Sequence, residues 1–258
     1  MTNKRAINNS KHQTNNSPLT THYSLFTNFA FTLAETLIVM GIIGVVAALT
    51  LPNLSSSTGD KEKIVKVKKI YSNIDEAYRR ATAVYGPMEE WFASDTSNVA
   101  KSKRVGERIT EFMKISKSCT NNVNAGCFTT GKYSDIISNM YRETVTDSNT
   151  YMYITADGTS LGFKYYSNND IFVPVDIDGP NKGKFTVGLD YFEIFLDSDG
   201  LYMDDTGSSP LVSCAMGQYP SSCFDWIMKF DNMDYTKING SGKCPNGTAL
   251  NKTNPSCK

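Results

Sequence analysis

Residues 28–54 read NFAFTLAETLIVMGIIGVVAALTLPNL. From Leu37 to Leu51 the run is almost wholly apolar, yet Glu35 stands near its start. A charge is costly in hydrocarbon, so a carboxylate there needs a partner or a use. As a helix, Phe31–Leu51 has 21 residues and extends about 31 Å, enough to cross a bilayer core of ~30 Å. Before it lies a polar leader containing Lys4, Arg5 and Lys11 and no acid.

The whole chain has 258 residues, of which 20% are charged, with 26 basic and 26 acidic side chains. Zero net charge argues against a nucleic-acid or membrane-surface binder that works by bulk electrostatics. Beyond residue 30 the chain keeps 23 of the 26 basic residues and every acid, so the remainder is slightly acidic. Both histidines, His12 and His22, lie in the leader. Without it, the chain has no histidine for a Ser-His-Asp or Cys-His nucleophile system, or for a histidine-ligated metal.

Cys119, Cys127, Cys214, Cys223, Cys244 and Cys257 all follow the apolar run, and none forms a CxxC pair. That pattern disfavours zinc and thioredoxin-type chemistry and suits disulfides in an oxidising compartment. Fifteen pairings are open. Pairing sequence neighbours, 119 with 127, 214 with 223 and 244 with 257, closes three short loops, each adding roughly 2–4 kcal/mol. The cysteines therefore place the C-terminal part outside the cytoplasm. The positive-inside rule points the other way, because Lys61, Lys63, Lys66, Lys68 and Lys69 follow the segment. The cysteines decide the orientation, since lysines on a helix have other uses.

Ala30-Phe31-Thr32-Leu33-Ala34-Glu35 resembles the processing and methylation site of type IV prepilins and type II secretion pseudopilins. The resemblance implies cleavage between Ala30 and Phe31 by a prepilin peptidase, N-methylation of Phe31, and a glutamate at the fifth mature position. Gly44 and Pro52 match the family's helix-distorting glycine and proline. Ala30 departs from the usual glycine before the cut but keeps a small side chain. The likeness covers about 25 residues. It implies that Glu35 pairs with the amine of Phe31 on a neighbouring subunit and sets axial register during assembly. The implied partners are further copies or related pilins in a fibre, the peptidase and inner-membrane assembly machinery. No specific nucleic acid is expected.

The expected fold is α+β and pilin-like. A long N-terminal helix, with a membrane-spanning half and an amphipathic half, packs on a four-stranded antiparallel sheet with disulfide-stapled loops. The expected domains are a removed leader at 1–30, an assembly helix at 31–54 and a head at 60–258. Pro52 and Gly59 predict a kink or melted turn between Leu51 and Asp60. From Ile64, the stripe Ile64, Val67, Tyr71, Ile74, Tyr78, Ala81 and Tyr85 predicts a one-faced helix over 60–85. Its lysines read as a solvated face.

"RVGERITEFMKISK" (104–117) has helical spacing, whereas "TYMYITADGTSLGFKYY" (150–166) reads as a hairpin. "IFVPVDI" (171–177) and "DYFEIFLDSDGLY" (190–202) read as two further strands, and "DSDG" (197–200) as a turn. "CFDWIMKFDNMDY" (223–235) reads as a short helix that puts Trp226 and Ile227 on the core. In "DIDGPNKGKFTVGLD", Asp176, Asp178 and Asp190 offer hard oxygen ligands to calcium, although the loop is not an EF-hand. Acidic, glycine-rich turns are also ordinary loop chemistry.

The functional expectation is a non-enzymatic subunit of a type IV pilus or type II secretion pseudopilus. Its precursor sits in the inner membrane with its head outside the cytoplasm. The alternatives are a single-pass extracytoplasmic binding protein that never polymerises, and an exported soluble enzyme behind a signal peptide cut near Ala48.

Overall fold

The computed structural model describes residues 32–129, 148–180, 182, 185–203, 214, 220–239, 243–251 and 253–257; at 49–58 it describes the backbone alone. The chain divides into two units, Met1–Thr50 and Leu51–Lys258. Helical backbone, α1, runs from Leu33 to Tyr85. The expected break between Leu51 and Asp60 does not occur. A proline costs a helix about 3 kcal/mol by removing one donor and crowding the preceding turn, and that cost does not end α1.

In the second unit, the period-3.6 stripe of α1 does what its spacing predicts. Ile64, Val67, Ile74, Tyr78 and Ala81 are buried, joined by Ile70 and Ala77, while Tyr71 and Tyr85 are half-buried against the same core. The chain leaves α1 at Gly86, whose φ of +77° suits glycine. A 3-10 turn over Met88–Phe92 follows and buries Trp91, whose indole N–H donates to the Gly86 carbonyl. Helix α2 (Asn98–Thr110) starts at Ser97, whose hydroxyl accepts from the Ala100 amide.

The sheet has six strands: β1 (Ile115–Thr120), β2 (Tyr151–Thr155), β3 (Ser160–Tyr165), β4 (Ile171–Asp176), β5 (Tyr191–Asp197) and β6 (Gly200–Tyr202). They lie in chain order, each antiparallel to the next. The pilin-like architecture expected from sequence, with a membrane-spanning half and a four-stranded sheet, is thus corrected on two counts.

First, the helix expected over 104–117 ends at Thr110 and Ile115–Thr120 forms strand β1, while the run at 190–202 is two strands joined at Asp197–Gly200. There the Asp197 carboxylate accepts the amides of Asp199 and Gly200. Second, among the described residues no helix is long and apolar enough to cross a membrane.

One face of the sheet carries Leu161, Phe163, Val173, Val175, Phe192, Ile194 and Leu196, all buried in the core that α1 and α2 share. Two close approaches fix α2 on that face. Gly106 lies so near Tyr153 that an added Cβ would stand 2.8 Å from the phenol oxygen. Buried Ser102 accepts the Tyr165 amide at 2.8 Å and donates to the Asn98 carbonyl. Helix α3 (Pro220–Phe230) buries Trp226 and Ile227 as expected. The indole N–H of Trp226 donates to Asn232, and the hydroxyl of Tyr235 donates to the Gly188 carbonyl.

Candidate functional site

The residues singled out from sequence fall into three places. Ala30 and Phe31, the expected cut, lie outside the described residues. Glu35 is in the first turn of α1. Its carboxylate accepts the backbone N–H of Thr32 at 2.9 Å and the Thr32 hydroxyl at 2.9 Å, while its own N–H donates to that hydroxyl at 3.3 Å. This is a reciprocal capping box, in which a Thr and a Glu three residues apart satisfy amides that no helical carbonyl can reach. The spacing Thr32-x-x-Glu35 is legible in the sequence as a capping box, a role the expected intermolecular pairing of Glu35 does not include.

From Leu37 onward the helix surface is apolar on every side. Met40 is 75% exposed, and Leu37, Ile38, Val39, Ile42, Ile43, Val45 and Val46 are each more than half exposed. A helix with apolar residues around its whole circumference belongs in a bundle or in lipid. Among the described residues Gly44 has no neighbour within 4 Å of where a Cβ would stand, so it leaves the helix surface flat there. Pro52 lies within the helical backbone.

The three candidate calcium ligands are not gathered around one point: among the described residues no group of three or more His, Cys, Asp or Glu can hold a metal ion. Each carboxylate has its own task. Asp176, 1% exposed, closes an Asx turn by accepting the amides of Asp178 and Gly179 at 3.1 Å each. Asp190, also buried, accepts the Thr186 amide. Asp178 faces α1, where Lys66 donates to it at 2.9 Å. Gly179 has φ +81°, and its backbone passes so close to Gly158 that a Cβ would stand 2.3 Å from that carbonyl oxygen. Only glycine fits there.

Burial pushes the Asp176 carboxyl up to about 7, and the nearby Asp190 charge adds to the effect against the pull of two amides. Burial also raises Asp190. Among the described residues, the second carboxylate oxygen of Asp176 has no hydrogen-bond partner, and neither has the buried hydroxyl of Ser160. Those two residues are direct cross-strand partners on β4 and β3. Their side chains therefore leave the same face of the sheet.

Three of the five lysines read as a solvated face are tethers. Besides Lys66–Asp178, Lys68 reaches Asp231 at 2.6 Å and Lys69 reaches Asp157 at 2.7 Å. Burial opposes ionisation of Asp157, but Lys69, the Thr155 hydroxyl and the Thr159 amide together lower its carboxyl to about 2. Sequence reasoning missed these partners because they lie 112, 163 and 88 residues away. No local pattern reports such contacts.

The six cysteines form three disulfides between sequence neighbours, Cys119–Cys127, Cys214–Cys223 and Cys244–Cys257. Around the last of these, Asp234 gathers Lys237, the Ser256 hydroxyl and the Cys257 amide. The C-terminal loop is thus tied back to the 3-10 turn at Asp234–Lys237. No known family, curated protein or solved structure matches this chain.

Proposed function

We propose that this chain is the structural, non-enzymatic subunit of a fibre of the type IV pilus or type II secretion pseudopilus kind. It is made as a precursor held at the inner membrane, cleaved before Phe31 and assembled through its apolar segment with copies of itself or related subunits. Its disulfide-stapled part lies outside the cytoplasm. One observation carries this reading. A helix that exposes apolar side chains around its whole circumference bears a single carboxylate, Glu35, in its first turn. Such a surface needs a cover, and packing against like helices supplies one.

The capping box supports a second reading, in which Glu35 only finishes the helix and the chain is a single-pass extracytoplasmic binding protein that never polymerises. The two roles separate chemically. Glutamine can take the place of glutamate in a capping box, but it carries no charge. Assembly that depends on the charge fails in both Glu35→Gln and Glu35→Ala, with membrane insertion retained. If the residue acts only as a cap, Glu35→Gln behaves as wild type and Glu35→Ala loses about 1 kcal/mol of local helix stability. The readout is fibre yield after shearing, together with the mass of the N-terminal peptide. A peptide that starts at methylated Phe31 supports the prepilin route, and an intact leader overturns it.

A further inference from the structure

The sequence contains two Asn-Gly pairs, Asn239-Gly240 and Asn246-Gly247. We propose that Asn246 is a site of spontaneous deamidation whose rate is governed by the Cys244–Cys257 staple. Asn246 and Gly247 are both exposed, at the tip of the short turn that follows buried Cys244. Gly247 has φ +83°, and nothing lies within 4 Å of where its Cβ would be. Glycine has no side chain of its own to hinder approach of the Gly247 nitrogen to the Asn246 side chain.

The reaction needs only water. The Gly247 backbone nitrogen gives up its proton and attacks Cγ of Asn246. A C–N bond forms, the amide nitrogen leaves as ammonia, and a five-membered succinimide closes. Water then opens the ring at either carbonyl, which gives aspartate or the β-linked isoaspartate. The product carries one more negative charge. In the isoaspartyl form it also carries an extra methylene in the backbone.

The turn restrains the attacking group. The Gly247 N–H donates to the Cys244 carbonyl at 2.9 Å, and the Thr248 N–H holds Oδ1 of Asn246 at 3.0 Å. Cys244 is fixed in turn by its own N–H to the Thr248 carbonyl at 2.8 Å and by the bridge between Lys243 and Ala249. The disulfide to Cys257 anchors this arrangement to the rest of the fold. Ring closure requires the Gly247 N–H to leave the Cys244 carbonyl and the Asn246 side chain to rotate away from Thr248. The staple therefore slows a reaction that the local sequence favours.

The test is incubation of the full chain in ¹⁸O-water at mildly alkaline pH, followed by peptide mapping with isoaspartate detection. The expected result is labelled aspartate and isoaspartate at position 246, forming several-fold faster in C244S/C257S than in the intact protein. An unlabelled, fully amidated Asn246 after prolonged incubation overturns the site. Equal rates in the two proteins overturn the gating. Should C244S/C257S lose its fold, the intact protein is compared in native buffer and in urea with the disulfide kept. Gating then requires several-fold faster conversion in urea, and equal rates overturn it.

Discussion

Leu33–Val46 and Ile64–Ala81 belong to one run of helical backbone, yet they teach opposite lessons about hydrophobic residues. The first, beyond Glu35 and Thr36 in its opening turn, is apolar around its whole circumference, and its large side chains are exposed. The second is mixed, with lysines and acids between its apolar positions, and its apolar stripe is among the best-buried parts of the molecule. Periodicity tells a segment which face to bury, whereas total hydrophobicity tells it only to find a non-aqueous surrounding. The stripe finds its cover inside the chain. The uniform segment leaves its apolar side chains exposed.

The largest effect expected from this contrast is on stability. Ile74 is fully buried, so Ile74→Ala should cost roughly 2–5 kcal/mol of unfolding free energy, through lost transfer energy and the cavity left behind. Leu37→Ala, at a site 63% exposed, should leave the unfolding of the second unit unchanged within about 0.5 kcal/mol. It should instead weaken fibre or membrane association. Denaturant melts of the two variants side by side test this. A Leu37→Ala chain as unstable as Ile74→Ala would mean that the apolar segment is covered by its own head.

A medium effect comes from the acidic loop beside the buried stripe. Because the Asp176 carboxyl is raised to about 7 in the fold, the native state holds a proton that the unfolded chain has already released. Unfolding then releases that proton. Stability is full below the ordinary carboxylate range and falls as pH rises towards 7, by at most roughly 1.4 kcal/mol per pH unit for one group. Asp190 pulls in the same direction. Asp157, held at about 2, acts oppositely: its contribution is present above the ordinary carboxylate range and is lost as pH falls towards 2. Asp176→Asn should flatten the decline between about pH 4 and 7 and be more stable than wild type at the alkaline end. Urea melts across pH measure it, and an unchanged slope would place the titration elsewhere.

Much of the fold was legible because it rests on short-range pattern. The α1 stripe, the hairpin around Ala156-Asp157-Gly158, the Asp197–Gly200 turn and the burial of Trp226 all follow from spacing and turn chemistry. Strand β1 was not legible. In "ISKSCT" only Cys119 is buried, as suits an edge strand with one neighbour, and its register shifts twice against β2. An exposed, irregular edge strand carries no alternation to read. Strand β6 has three residues, below the length at which a pattern exists. The backbone stays helical through Pro52, against the expectation that a proline would break it there. At the candidate site, Glu35 and the three acids were legible as chemistry. Their partners were legible only where they were near: Thr32 lies one turn away, whereas Lys66 meets Asp178 only after the chain has folded.

The smallest effect separates the buried stripe from the tethers beside it. Lys68–Asp231 is an exposed pair, with side-chain exposures of 40% and 72%, and is worth about 0–1 kcal/mol. Lys68→Ala should therefore cost far less than Ile74→Ala, and that small cost should shrink further in salt. Lys66–Asp178 is better shielded, at 37% and 22%, and Asp178 sits in the turn that Asp176 closes. Removing Lys66 should therefore cost more than removing Lys68 and retain more of its effect in high salt. A double-mutant cycle on each pair, at low and high ionic strength, measures the coupling directly. Equal, fully screened couplings would make the lysines an ordinary solvated face after all. A larger, salt-resistant coupling at Lys66–Asp178 would mean that α1 is held to its acidic loop by charge as well as by its apolar stripe.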